Sequence, residues 1–205
     1  MTMPRQDTDT ARAFRALENA DASVRLRAAM AVGMAPDPRF VGKLIERCAV
    51  EPEFFVRDML TWALTCHSAS TAVPGLIGEL RSERAQARSQ ALHTLSKVGD
   101  PRAWPAITRE LLTDADDEVA RSAWRAAVVL VPEGEEPELA AVLATQLGRG
   151  GRAVQRSLSR ALIALGEVIL PVLRAARAAP GSRVRTHAIA TERLLRDPDA
   201  RFEWV

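Results

Sequence analysis

Asp58 and Trp62 stand four residues apart, as do Ser89 and His93 and, further along, Arg156 and Arg160. On a helix each such pair shares one face. With Arg125 added, these residues would set a carboxylate, an indole, an imidazole and several guanidinium groups along neighbouring helices. That is chemistry for holding a ligand rather than for breaking a bond. An indole floor ringed by charge suits an anionic aromatic molecule or a peptide. Each residue also has a plainer role open to it: Trp62 packing between helices, His93 standing on the surface, Asp58 pairing with Arg57 or Arg88.

Bond-breaking chemistry has little to work with. His67, His93 and His187 are far apart, and none is followed by Glu. No Cys-x-x-Cys or His-Glu-x-x-His spacing exists, so no metal site and no cofactor are expected. Cys66 and His67 are sequence neighbours and on a helix point about 100° apart, a poor geometry for a nucleophile and its base. Gly148-Arg149-Gly150-Gly151 opens a helix and suits either an anion cradle or a flexible turn. No catalytic residues are assigned, and an enzyme is the lesser expectation.

The positioning elements emerge from internal repetition. Asp21-Ala22-Ser23-Val24-Arg25, Glu53-Phe54-Phe55-Val56-Arg57, Ala87-Arg88 and Asp117-Glu118-Val119-Ala120-Arg121 each lead into small and aliphatic residues. Weaker copies centre on Gln155 and Arg185. Aligned on these six positions, the spacing is roughly 30–34 residues, the length of a helix pair. Val56, Leu60, Ala63 and Leu64 show the 3.6-residue stripe of a half-buried helix. Asp21 and Asp117 are placed to cap their helices, and Glu53 holds the same place as a poorer cap. Positions one and five after each aligned residue face away from the core stripe, which is how the candidate residues above are chosen. The Arg register itself (Arg25, Arg57, Arg88, Arg121, Arg185) is expected to be structural. Trp104 and Trp124 fall at apolar repeat positions and are expected in the core.

Shorter helices are expected between, over Arg39 to Ala49, Ala72 to Arg81, Arg102 to Thr113, Pro137 to Leu147 and Glu167 to Ala179. Three of them carry Pro at matching places, Pro74, Pro105 and Pro171, which would fit a first turn. Pro36-Asp37-Pro38, Gly99-Asp100-Pro101, Pro132-Glu133-Gly134 and the Gly148–Gly151 run mark the breaks. Residues 1–9 are expected to be disordered, 10–198 to form one repeat domain opened by a capping helix near Thr10 to Asn19, and 199–205 to form a tail.

Composition agrees. Of 205 residues 47% are hydrophobic, 26% charged and only 4% aromatic, with no Tyr. A core poor in rings must use Ala, Leu and Val, and the first two favour helix. The net charge of +2 is too small to demand a nucleic acid or a membrane. Charge is uneven, however. Acids crowd Glu110 to Glu138, whereas from Arg149 to Arg196 only Glu167 and Glu192 oppose the Arg residues, a pattern for a solvated face or for a phosphate-docking surface. Two cysteines, no leader pattern and no apolar run of about 20 residues make the cytoplasm the expected compartment.

Asp-x-x-Val-Arg followed by small and aliphatic residues, with Gly-Asp-Pro-Arg opening the next unit, resembles the HEAT-like repeats first described in phycobilisome lyases. The resemblance implies an all-α fold, a right-handed α-α superhelix or solenoid of about six helix pairs, with the second helices lining a concave face. Phe54 through Leu64 and Gln86 through Ile107 look like actinobacterial HEAT-repeat proteins, some of them fused to MerR-type regulators. The expectation is therefore a non-catalytic module, with a regulatory role open to it, that binds a protein or peptide partner, or a small effector, on its concave face. Alternatives are a DNA-binding enzyme resembling the HEAT-like alkylpurine DNA glycosylases and a chromophore lyase. Nucleic acid is a weaker expectation as a partner, and a membrane is not expected.

Overall fold

In the computed structural model, the structure describes residues 3–178 and 180–197, with side chains from Thr10 onward. Among these the fold is all-α, with no strand. The chain forms two compact units, Met1–Ala103 and Trp104–Val205.

The first unit holds α1 (Met3–Leu17), α2 (Ala22–Met34), α3 (Val41–Cys48), α4 (Phe54–Thr65), α5 (Ala69–Glu79) and α6 (Ala85–Val98). A 3-10 turn, Pro38–Phe40, leads into α3. Consecutive helices pair as hairpins, α1 with α2, α3 with α4 and α5 with α6. The second members pack side by side in the order α2, α4, α6, and α3 packs on α5. The result is two layers sealed by Leu44, Leu60, Leu64, Leu76, Leu92 and Leu95, all essentially without solvent contact. Helix α1 starts at Met3 rather than near Thr10, with Pro4 in the first turn, where its missing N–H breaks no helical bond.

The second unit repeats the scheme with α7 (Arg109–Leu112), α8 (Asp117–Leu130), α9 (Glu136–Ala144), α10 (Arg152–Ala164), α11 (Leu170–Ala178) and α12 (Ser182–Arg196). Hairpins pair α7 with α8, α9 with α10 and α11 with α12; α8, α10 and α12 form one layer, and α7, α9 and α11 the other. Trp124 is wholly buried, and its indole N–H donates to the Leu112 carbonyl at 2.8 Å. Trp104 instead stands half-buried at the edge, donating to Glu135 Oε2 at 2.9 Å. The tail at 199–205 lies outside the described residues.

Four local expectations need correction. The cap of α8 is Asp116, not Asp117: Asp116 is extended, and its Oδ1 accepts from the N–H groups of Glu118 and Val119. Asp117 is the first helical residue and pairs with Arg149 at 2.9 Å. The helix expected over Arg102 to Thr113 is broken. A 3-10 turn, Pro101–Ala106, ends after Pro105, and only the single turn of α7 follows. Pro105 has no N–H for a helical bond and disfavours helical geometry at Trp104. Helix α5 begins at Ala69, three residues early, so Pro74 sits inside it rather than in its first turn. Pro74 and Ser70 are both exposed, so water can take the carbonyl that Pro74 leaves unbonded. Of the three prolines, Pro171 alone falls in a first turn of a helix, that of α11.

The aligned register has a geometric basis. Arg25, Arg57 and Arg88 are each the fourth residue of their helix. Each turns its guanidinium back on two carbonyls of the loop before that helix: Asn19 and Ala20, Glu51 and Pro52, Ser82 and Glu83, at 2.6–3.2 Å. The acceptors are always the residues six and five positions earlier. In the second unit Gln155 reaches Gly148 and Gly150, and Arg185 reaches the Arg177 carbonyl. Arg121 departs from the scheme. Because α8 starts one residue early, Arg121 is fifth rather than fourth; it pairs with Glu118, and its buried Nε has no partner. Arg149 takes over the loop carbonyls of Asp114 and Ala115.

Candidate functional site

Within the first unit, α4 carries Asp58 and Trp62, and α6 carries Ser89 and His93. The two helices pack directly, and the Thr61 hydroxyl meets that of Thr94 at 3.4 Å in the buried seam. Thr94 donates onward to the Gln90 carbonyl, so Thr61 is the donor to Thr94. Trp62 and His93 are the sequence neighbours of this pair, and Trp62 lies against Gly33 of α2. Trp62 is 40% exposed and His93 half-buried. Asp58 is exposed and pairs with neither Arg57 nor Arg88, both of which hold loop carbonyls. Ser89 is buried, so its hydroxyl is not on the open face.

The indole of Trp62 has an unusual bed. A Cβ placed on Gly33 of α2 would lie 2.9 Å from Trp62 Cε3 and 3.0 Å from Ala63 Cα. Only glycine lets the Cε3 edge of the ring come this close to the α2 backbone. Met30 stands one turn before Gly33 and Met34 directly after it, and both are exposed. Phe55, two turns before Trp62 on α4, is 74% exposed, and its neighbour Phe54 meets it edge-on with centroids 5.7 Å apart. Arg57 lies 6.0 Å from the Phe54 centroid. Large apolar side chains are thus left open along α2 and α4. Gly33→Ala is expected to push the indole off its bed and to cost about 1–3 kcal/mol by overpacking. Urea unfolding together with the Trp62 indole resonance would measure both; a Gly33→Ala protein of unchanged stability with an unmoved resonance would refute the packing.

In the second unit Arg125, Arg156 and Arg160 are all exposed. Arg125 donates to the Arg121 carbonyl and to Ser122 Oγ, folding back along α8. Arg156 and Arg160 stand on one face of α10 and make no ion pair among the described residues.

Two buried polar clusters escape a reading of the sequence. In the first unit Glu51, with no solvent exposure, accepts both forks of Arg25 at 2.7 Å, Arg47 at 2.9 Å and the N–H of Glu53 at 3.0 Å. Burial alone would raise its pKa, but the hydrogen bonds from Arg25, Glu53 and Arg47 outweigh it and hold the carboxyl down to about 2. In the second unit the wholly buried His187 accepts the Gly148 N–H on Nδ1 at 3.0 Å. Its proton is therefore on Nε2, facing the Gln155 carbonyl and Ser159 Oγ, both at 3.0 Å. Ser159 passes its hydrogen to Thr191, and Thr191 donates to the His187 carbonyl. Every donor in this chain has an acceptor. In sequence His187 reads only as one of three scattered histidines with no Glu after it, and Glu51 as an ordinary loop residue before Pro52.

No protein-family model and no curated protein matches the chain. Among the described residues no group of three or more His, Cys, Asp or Glu converges as a metal site would require. Also among them, no helix is long and apolar enough to cross a membrane.

Proposed function

We propose that the chain is a non-catalytic interaction module, built as a HEAT-like α-solenoid, that captures a protein or peptide segment on the second helices of its repeats. The single observation that carries this is Trp62 lying on Gly33, with Met30, Met34 and Phe55 exposed on the same two helices, α2 and α4. Aromatic and methionine side chains form adaptable contact surfaces, and solvent-facing clusters of them mark interaction sites. The exposed carboxylate of Asp58, one turn before Trp62, adds a preference for a basic residue in the bound segment. His93, half-buried on the adjacent α6, is the second candidate contact.

Panning a random-peptide phage library against the whole protein tests this. Peptides rich in apolar residues with a Lys or Arg are expected. Their binding should fall at least tenfold in a Trp62→Ala, His93→Ala double variant whose circular dichroism is unchanged. Selected peptides that bind the double variant as tightly as the wild type would remove the proposal.

A further inference from the structure

The second unit turns a different chemistry outward. Helices α8 and α10 pack side by side, and both also pack on α9. Each leaves open only the strip opposite its buried side. On α8 that strip runs through Glu118, Arg121, Arg125 and Val129. On α10 it runs through Arg152, Arg156, Arg160 and Ile163.

The charges on these strips do not balance. Glu118 pairs with Arg121. Arg125 spends its guanidinium on neutral acceptors of its own helix, the Arg121 carbonyl and Ser122 Oγ. Helix α10 contains no carboxylate, and Arg156 and Arg160 make no ion pair among the described residues. The row Arg152, Arg156, Arg160 recurs every four residues, about 6 Å apart along the axis. Like charges at that spacing oppose helix formation. A row of carboxylates laid against them would relieve the repulsion.

The rest of the surface narrows the class of anion. Apolar groups are interleaved with the charge: Val129 is 54% exposed and Ile163 half-buried. No aromatic ring is open on either helix, since α10 has none and Trp124 of α8 is wholly buried. Single-stranded nucleic acids are held largely by stacking bases on such rings. A duplex needs a long positive track. Here Arg152 to Arg160 span only about 12 Å along the axis, and the exposed acids Asp116 and Glu118 stand at the start of α8. A short segment that mixes carboxylates with apolar side chains fits this surface, and the guanidinium fork matches a carboxylate in two prongs.

We propose that the open strips of α8 and α10 dock an acidic amphipathic helix of a partner protein. Its carboxylates, one turn apart, meet Arg156 and Arg160, and its apolar side chains meet Val129 and Ile163. The periods agree, because Glu at every fourth position of one helix repeats at the same interval as Arg at every fourth position of the other. Arg125 turns away from its own helix to take a further carboxylate.

The test is fluorescence anisotropy with the whole protein and a labelled helical peptide that carries Glu at every fourth position beside a Leu stripe. The same peptide with Gln for Glu, duplex DNA and phosphatidylserine vesicles are compared at one ionic strength. The Glu peptide is expected to bind at least tenfold more tightly than any of these. Arg156→Glu should lower its affinity at least tenfold. The melting temperature of that variant should be equal or higher, because an acid between Arg152 and Arg160 replaces repulsion by attraction. Arg174→Glu, which makes the same charge change at an exposed position of α11, should leave binding within twofold of the wild type. No measurable binding of the Glu peptide, equal binding of the Gln peptide, tighter binding of DNA or vesicles, or equal affinities of the two variants would each overturn the proposal. So would self-association of the free protein that Arg156→Glu abolishes, which would assign the strips to a second copy. No residue of the Trp62 surface is involved, so each proposal stands or falls separately.

Discussion

Glu51→Gln is expected to destabilise the first unit by about 3–5 kcal/mol, the usual cost of removing one partner from a buried ion pair. The side chain keeps its shape but loses its charge. Arg25, itself 5% exposed, then keeps a buried guanidinium with no counter-charge. Arg47 loses the same partner. The backbone of this residue matters as well: its carbonyl accepts from Arg57 and from Gln86, so four helices, α2, α3, α4 and α6, send a side chain to one loop residue. Loosening it should therefore be felt across the unit rather than at one helix end. Urea unfolding followed by circular dichroism measures the change, and a loss under about 1 kcal/mol, the scale of an exposed pair, would show that the charge is not needed. Glu51 also predicts its own acid limit. Its folded pKa lies below its unfolded one, so its contribution is complete above about 4.5 and is lost as the pH falls toward about 2.

Acidification should weaken the second unit earlier, through His187. Burial pushes this imidazole from the ordinary 6.5 to about 4, against the smaller raising effect of its bond to the Gln155 carbonyl. Between those values the unfolded chain holds a proton on the ring and the folded chain does not. Stability then rises with pH across the window and is lost as the pH falls from about 6.5 to about 4, by at most about 3 kcal/mol for this single group. Below that the folded form protonates too, and this group adds no further slope. The structural reason is direct: a second ring proton would point Nδ1–H at the Gly148 N–H, two donors face to face. Urea midpoints collected from pH 7 to pH 4 should show the loss in the wild type and a much flatter profile in His187→Asn. Equal slopes in the two proteins would contradict the assigned tautomer.

How far the amino-acid sequence speaks depends on which interactions are local. The register was legible in the first unit because Arg25, Arg57 and Arg88 bond carbonyls only five and six residues away, so each of these three hairpins carries its own rung. The helix pairs followed, since Val56, Leu60 and Leu64 make a local stripe, and Asp21 was identifiable as a cap for the same reason. Boundaries were less legible where two nearby residues compete. Asp116 and Asp117 can each cap α8, and Arg149, distant in sequence, bonds the second and leaves the first to cap. Helix α5 extends backward past the expected start and encloses Pro74, because packing of the apolar face outweighs a single lost bond. Of the candidate residues, Asp58 and Trp62 lie on α4 and Ser89 and His93 on the adjacent α6, a consequence of equal repeat positions. Ser89 shows the weakness of that logic, since a position that is open in one helix is covered in the next. Glu51 and His187 were illegible because deciding partners, Arg25 for the one and Gly148 and Ser159 for the other, are distant in sequence.

The guanidinium rungs also carry a length rule for the connections they clasp. An Arg at the fourth helical position reaches back to two fixed carbonyls, so the turns at Asn19–Asp21, Glu51–Glu53 and Ser82–Arg84 have room for one residue count only. Adding or deleting a single residue there would carry those oxygens out of range and leave a cation stranded at the helix start. The turn at Pro132–Glu135 carries no such clasp, and a foreign loop grafted there should leave the architecture whole. Indels in this molecule are thus confined by side-chain reach rather than by burial, and an engineer who wants to decorate it should cut at Gly134.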